Sequence, residues 1–195
     1  MKNNITRVEI GIDLQPMFMD RQDILGNEMC EAAIDYVVDF INKFDADEML
    51  LTRDIHPVGE DYFKTREGKA LPVAHGDEND ESSQIVPVIM NAVNKKFGTD
   101  NVKIFKKPTF GSVELGEYLR EKYGDGKNIE IYIYGVCTGI CVINNVAIVR
   151  AFCPEAEIYL VNECCACVTK ETHNTAIEAM KTFQVKVVDD MKALF

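Results

Sequence analysis

The sequence has no apolar run long enough to cross a bilayer, and no signal-peptide core precedes its first strand-like segment. Basic residues are also scarce, because 21 lysines and arginines face 32 aspartates and glutamates and leave a net charge of -11. This balance argues against nucleic acid and membranes as partners. We therefore expect a cytoplasmic protein.

Internal repeats, low-complexity tracts and linker-like segments are missing from the sequence as well. A chain of 195 residues fits one domain and can bury a full core without disulfide or metal support. We therefore expect a single domain over residues 1–195.

The seven cysteines do not fit a complete disulfide framework, because their number is odd and no export signal accompanies them. We expect most of them to pack as small buried hydrophobic side chains. The run Cys164-Cys165-Ala166-Cys167 lacks the second ligand cluster that a structural zinc site needs, which favours packing there too.

Short apolar runs with β-branched residues alternate with segments of helical periodicity. The predicted strands are residues 8–14, 48–52, 102–105, 129–134, 157–161 and 185–188, and the predicted helices are 27–44, 86–97, 112–123, 141–152 and 171–183. Segment 53–84 shows no clear period and is predicted to be a long loop. The order predicts an α/β fold: a doubly wound, six-stranded, mainly parallel sheet with helices on both faces, a Rossmann-like three-layer sandwich.

Polar side chains follow the first four predicted strands. Asp13 closes the first strand, Asp54 and His56 follow the second, Lys107 follows the third, and residues 135–141 follow the fourth. Binding sites in open parallel sheets form beyond the carboxyl ends of the strands. We therefore expect these residues to gather along one edge, with Asp13 near Cys141 if the strand order reverses beside the first strand.

Cys141 is the candidate nucleophile, since the segment GVCTGICV places it at the predicted start of a helix. Free N–H groups and the helix dipole stabilise a thiolate there, and near Cys137 and Cys141 they can bind an oxyanion. Lys107 supplies a positive charge and Asp13 a proton-transfer group. From spacing alone, a buried helix cysteine, a strand-end aspartate and a solvated lysine are the simpler interpretation; their joint placement favours catalysis.

Six motifs together carry a resemblance to a known family. They are IGIDLQPMF at residues 10–18, TRDIHP at 52–57, EGKALPVAH at 67–75, KPTFGS at 107–112, GVCTGICV at 135–142 and PEAEIYLVNECCACVT at 154–169. In this order and spacing, the sequence resembles the isochorismatase-like cysteine hydrolase superfamily, and especially its nicotinamidase branch.

The resemblance implies a role for each matching position. Asp13, Lys107 and Cys141 match the catalytic aspartate, lysine and nucleophile. The backbone N–H groups of Cys137 and Cys141 match the oxyanion hole, and the peptide bond between Val136 and Cys137 is expected to be cis. Phe18 matches an aromatic wall of the substrate pocket, with core packing as the alternative.

Asp54, His56 and His75 match the metal ligands of nicotinamidases. In an extended segment, residues two apart such as Asp54 and His56 face the same side. A carboxylate and two imidazoles suit a divalent metal, with zinc as the first expectation and manganese or iron as alternatives. Glu67 or Glu60 is a candidate further ligand. The third histidine of the chain, His173, is expected to pack at a helix start instead.

The sequence also departs from the family pattern. The acidic segment 76–83 replaces the cysteine and Gly-Thr-x-Gly that usually follow the metal histidine. Leu71 stands near the position of a frequent tryptophan, a residue the chain lacks altogether, and Gly139 replaces an acidic residue. These changes leave the chemistry in place and the substrate open.

The resemblance implies a cysteine-dependent, metal-assisted hydrolase that converts a small amide to a carboxylic acid and ammonia through a thioester, acting as a homo-oligomer. Another amidase of the superfamily, acting on a carbamoyl or ureido compound, is the main alternative. Isochorismatase-type hydrolysis is disfavoured by the presence of both the cysteine and the metal residues. A non-catalytic scaffold is disfavoured by the intact set Asp13, Lys107 and Cys141.

Overall fold

The computed structural model describes residues 5–195. Six parallel strands form one sheet in the order β3-β2-β1-β4-β5-β6. The strands are β1 Thr6–Ile12, β2 Glu48–Asp54, β3 Val102–Lys107, β4 Ile129–Val136, β5 Glu157–Ala166 and β6 Lys186–Val188. The helices are α1 Pro16–Met19, α2 Glu28–Lys43, α3 Glu60–Lys64, α4 Arg66–Ala70, α5 Pro87–Phe97, α6 Val113–Tyr123, α7 Ile143–Phe152 and α8 Lys170–Thr182. The predicted fold class is confirmed.

Burial explains the sequence of the central strands. From Val8 onward β1 is buried, and so is nearly all of β4, because helices cover both faces of a parallel sheet. Helices α2 and α5 contact each other on one side, whereas α7 contacts α6 and α8 on the other. The two edge strands β3 and β6 are more exposed.

Helix α2 shows how sequence sets local structure. The Asn27 side chain accepts a hydrogen bond from the Cys30 backbone N–H and so caps the first turn. Glu28 in the first turn and Lys43 in the last complement the helix dipole. The buried face, which packs against the sheet, comprises Cys30, Ala33, Val37, Phe40 and Ile41.

The strand order reverses beside β1, which pairs with β2 on one side and β4 on the other. This arrangement brings the carboxyl ends of β1 and β4 together, as expected if the strand order reverses beside the first strand. Gly135 makes the approach possible, because it adopts φ 127° and a Cβ there would lie 2.1 Å from the Ile12 carbonyl oxygen. A larger residue would therefore push the end of β4 away from β1.

Three local predictions need correction. Segment 53–84 is not a continuous loop: β2 extends through Arg53 and Asp54, and α3 and α4 follow it. Cys141 lies in a π-helical turn over Thr138–Val142, and the regular helix α7 begins only at Ile143. Finally, β5 continues to Ala166 and holds Cys164 and Cys165 as buried strand residues.

All seven cysteines are free, and six of them are buried. The expectation of packed thiols is thus confirmed. None of the helices within residues 5–195 combines the length and the apolar character that a membrane span requires.

Glu9 is a fully buried carboxyl group in the middle of β1. It accepts hydrogen bonds from Lys96 Nζ and from the Tyr134 hydroxyl, both at 2.7 Å. Burial raises the pKa of Glu9 from 4.5 to about 6, against the opposing effect of Lys96. The folded chain therefore holds this proton more tightly than the unfolded chain.

The wild type loses the stability contributed by Glu9 as the pH rises from about 4.5 to about 7. We predict that the Glu9→Gln variant loses less stability over the same range. The Glu9 contribution is fully present below the unfolded pKa and is lost as the pH rises through about 6, at a cost of about 2 kcal/mol. Urea unfolding across this range measures it. Parallel pH profiles for the two proteins would contradict the prediction.

Candidate active site

Asp13 follows the last residue of β1 and is completely buried. Its backbone adopts φ 49°, a left-handed conformation that is uncommon for an aspartate and often marks functional sites. The Thr52 hydroxyl donates to Asp13 Oδ1 at 2.6 Å and accepts from the Asp13 N–H at 3.1 Å. Thr52 on β2 therefore fixes both the backbone and the carboxylate of Asp13.

Lys107, the last residue of β3, links the other candidate catalytic groups. Its Nζ lies 2.6 Å from Asp13 Oδ2 and 3.6 Å from Cys141 Sγ, and the side chain is 2% exposed. Asp54 Oδ2 lies farther away, at 3.9 Å. The structure thus brings Asp13, Lys107 and Cys141 into one buried group.

Cys141 is held by the turn that leads into α7. The Cys137 carbonyl accepts from Ile140 N–H at 3.0 Å and from Val142 N–H at 3.1 Å. Asn145 Nδ2 donates to the Cys141 carbonyl at 2.8 Å. The peptide bond between Val136 and Cys137 is cis, as the resemblance implies.

The electrostatics of the buried group differ from the sequence-based expectation. Burial and the neighbouring Asp13 raise the pKa of the Cys141 thiol, and Lys107 only partly opposes them. The expected lowering of this pKa by the helix start is therefore wrong for the resting site. Burial also raises the pKa of Asp13, against the attraction of Lys107, which strengthens Asp13 as a base.

The pKa of Lys107 moves above its ordinary value. Burial disfavours its charged form, but the adjacent Asp13, Cys141 and Asp54 outweigh this effect. The ammonium is therefore retained although the side chain is almost fully buried. A cation at this position stabilises negative charge on either Asp13 or Cys141.

Asp54, His56, His75 and Glu67 form a second group, with one ligand atom of each within 4.8 Å of the others. His56 Nε2 lies 2.9 Å from Asp54 Oδ1 and 3.7 Å from Glu67 Oε2. His75 Nε2 lies 3.7 Å from Glu67 Oε1. The three predicted ligands are thus joined by Glu67, whereas Glu60 is not part of the group.

This donor set fits a divalent cation. Asp54 Oδ1 and His56 Nε2 are buried, and neither makes a hydrogen bond within the described residues despite their short separation. Buried polar atoms are rarely left unpaired, so two that converge indicate a missing positive partner. Two imidazoles and two carboxylates suit zinc, manganese or iron.

Neighbouring side chains orient these donors. His75 Nδ1 lies 2.8 Å from the Val73 carbonyl, which can only accept, so Nδ1 carries the hydrogen and Nε2 presents its lone pair. The ring of Tyr62 lies edge-on to His56 and His75 at 5.4 and 5.3 Å. Tyr62 is buried and donates to the Leu71 carbonyl at 2.8 Å.

Gln15 connects the two groups and was missed by the sequence analysis. Its side chain is buried, donates to the carbonyls of Asp54 and Ser83, and accepts from the Asp54 N–H at 2.7 Å. The acidic segment 76–83 is therefore anchored at its end although its middle, residues 78–81, is exposed. A second polar residue in the mostly apolar motif at residues 10–18, two positions after Asp13, was the available signal.

His173 takes the packing role expected of it. It is 6% exposed near the start of α8, and its ring nitrogens lie 2.8 Å from Thr138 Oγ1 and 3.0 Å from Asn162 Oδ1. Thr138 also donates to the Ala166 carbonyl at 2.9 Å. These contacts support the turn that holds Cys141.

Both groups open into one cavity of about 830 Å³. Phe18 lines it and lies edge-on to His75, with ring centres 5.8 Å apart. Cys137, Cys141, Asp54, Glu67 and His75 also line it. A molecule in the cavity can therefore meet the thiol and the metal group at once.

Fold and site together define a doubly wound α/β protein with a cysteine, lysine and aspartate at the carboxyl edge of the sheet. A family model described as the isochorismatase domain matches residues 10–190. The chain belongs to the isochorismatase family. A comparison with curated proteins gives no significant match.

Several solved structures share the fold. Nicotinamidase/pyrazinamidase PncA from Bacillus subtilis is 20% identical, with a TM-score of 0.79 over 95% of this chain and 100% of that one. Pyrazinamidase of Pyrococcus horikoshii in complex with zinc is 22% identical, with a TM-score of 0.70 over 94% and 99%. Yeast nicotinamidase Pnc1p, bound to the inhibitor nicotinaldehyde, is 20% identical, with a TM-score of 0.74 over 95% and 100%.

We predict that Lys107→Met lowers the free energy of unfolding by about 3–5 kcal/mol, because it leaves the buried Asp13 charge unpaired. The double variant Asp13→Asn, Lys107→Met is expected to recover most of this loss. Chemical denaturation of the wild type and the variants measures both changes. Additive effects of the two substitutions would show that the pair is not coupled in this way.

We predict that the chain binds one divalent ion, and that His56→Ala or His75→Ala weakens its affinity for zinc more than about 100-fold. Titration calorimetry after dialysis against a chelator gives the affinity. His173→Gln is the matched control, since it removes the remaining histidine. Equal loss of zinc binding in the control would contradict the assignment.

Proposed function

We propose that this chain is a cysteine-dependent, metal-assisted hydrolase that converts a small amide to a carboxylic acid and ammonia. The observation that carries the proposal is the contact series in which Lys107 Nζ bridges Asp13 and Cys141 beside the four-residue metal group. A nucleophile that lines the cavity, with a base and a cation in contact behind it, provides the groups that amide hydrolysis needs.

In the first step, Asp13 takes the proton of the Cys141 thiol, and Sγ attacks the amide carbon. Cys141 Sγ lies within 4.8 Å of a carboxylate oxygen of Asp13, close enough for this transfer once substrate is bound. The backbone N–H groups of Cys137 and Cys141 stabilise the negative oxygen of the tetrahedral intermediate. Asp13 then returns the proton to the leaving nitrogen, which departs as ammonia and leaves a thioester.

In the second step, water attacks the thioester carbon while Asp13 accepts a proton from that water. The C–S bond breaks, the carboxylic acid is released, and the thiolate recovers the proton held by Asp13. Lys107 stays charged throughout and stabilises whichever of Asp13 or Cys141 is negative. Two steps of moderate barrier replace one difficult step.

Asp54, His56, Glu67 and His75 would hold the divalent cation. When bound there, such an ion supplies Lewis-acid chemistry and orients the substrate. Zinc is our first candidate, because the similar pyrazinamidase of Pyrococcus horikoshii is a complex with zinc. Gln15 and Tyr62 hold the protein groups in place for it.

Nicotinamide is the first substrate to test, because the similar solved structures are nicotinamidases and pyrazinamidases. We predict that purified protein with added zinc or manganese releases ammonia from nicotinamide and that Cys141→Ala abolishes release. The substitution removes the thiol that would form the thioester. An ammonia assay measures turnover.

Cys153→Ala is the matched control, since it removes a buried thiol at the other end of α7. This variant is expected to keep the wild-type rate. Equal turnover in Cys141→Ala and wild type would refute the nucleophile assignment. Turnover of carbamoyl or ureido compounds without turnover of nicotinamide would instead support the alternative amidase.

A further inference from the structure

The cavity is much larger than its reacting end. The metal group is compact, because one ligand atom of each member lies within 4.8 Å of the others. The whole cavity has a volume of about 830 Å³. Cavities of roughly 300–1000 Å³ typically hold ligands of drug size. A carboxamide of a few atoms would therefore leave most of the volume to water.

The wall beyond the reacting end is apolar. It is built by five side chains from separate segments, namely Leu25, Leu71, Phe110, Ile140 and Val168. Within the described part of the chain, Arg66 is the one charged lining residue that lies outside the metal group. The rest of the wall therefore offers few polar partners and favours an apolar ligand.

Part of this wall is unusually exposed. Val168 is 62%, Phe110 42% and Ile140 36% accessible to solvent. They lie after β5, after β3 and in the π-helical turn, so three separate segments converge at the mouth. Single exposed apolar side chains are common, but a contiguous apolar surface around a cavity marks a binding surface.

We infer that the substrate is a primary amide that carries an extended apolar group, which lies along Leu25, Leu71, Phe110, Ile140 and Val168. This inference rests on the proposed amide hydrolysis and names its substrate class. The carboxamide lies between Cys141 and the metal group, and the apolar group fills the outer volume. Each methylene buried there leaves water and strengthens binding about fourfold.

The test separates binding from turnover. Zinc-loaded Cys141→Ala protein is titrated calorimetrically with unbranched primary amides from acetamide to octanamide. The expected result is a dissociation constant that falls about fourfold with each added methylene over several members. An affinity independent of chain length would overturn the inference. This is also the result expected if a second copy of the chain covers the mouth of the cavity.

Substitutions in the apolar wall test whether the apolar group of the amide binds there. Phe110→Ser and Val168→Ser, each combined with Cys141→Ala, are expected to flatten the dependence of affinity on chain length. Val88→Ser is the matched control, because Val88 is 50% exposed on α5 and does not line the cavity. An equally flat dependence in the Val88→Ser variant would overturn the assignment to this wall.

Ammonia release by the zinc-loaded wild type distinguishes the two proposals. Affinity that grows with chain length without any ammonia release would support the apolar site and contradict the hydrolysis. Ammonia release with no dependence of affinity on chain length would support the hydrolysis and overturn the apolar substrate.

Discussion

The buried ion pair between Asp13 and Lys107 is the interaction on which the site depends. It joins the end of β1 to the end of β3 across β2, at 2.6 Å and out of contact with water. A buried pair is stable only while both partners are present, because either charge alone is costly to bury. Strand order, register and the chemistry beside Cys141 therefore constrain one another.

Different structural elements position the catalytic group and the metal group. Asp13 and Lys107 lie at the ends of β1 and β3, so the sheet fixes their spacing, and the π-helical turn after β4 positions Cys141. Glu67 and His75 lie in and after α4, in a segment outside the sheet. Gln15 connects the segment after β1 to Asp54 and Ser83 through three hydrogen bonds to their backbone atoms. The sheet therefore positions Asp13 and Lys107, whereas a short helix and the segment after it position Glu67 and His75.

The parts that sequence could predict are those with a periodic or positional signal. Polar residues after apolar runs indicated Asp13 and Lys107, and the alternation of strands and helices indicated the sheet. Helices α3 and α4 have only five residues each, too few to show a helical period. Thr52 and Tyr62 act through tertiary contacts that leave no local pattern in the sequence. The pKa of Cys141 was misjudged because burial depends on packing from the whole fold.

The raised pKa of Cys141 also bears on the durability of the protein. Peroxides and generic alkylating reagents attack accessible thiolates, whereas a thiol that is both buried and raised in pKa reacts slowly. Cys141 is 5% exposed and lines the cavity, so such reagents reach its thiol through the cavity. An electrophile that fits the cavity therefore reaches this cysteine more readily than a bulky reagent does.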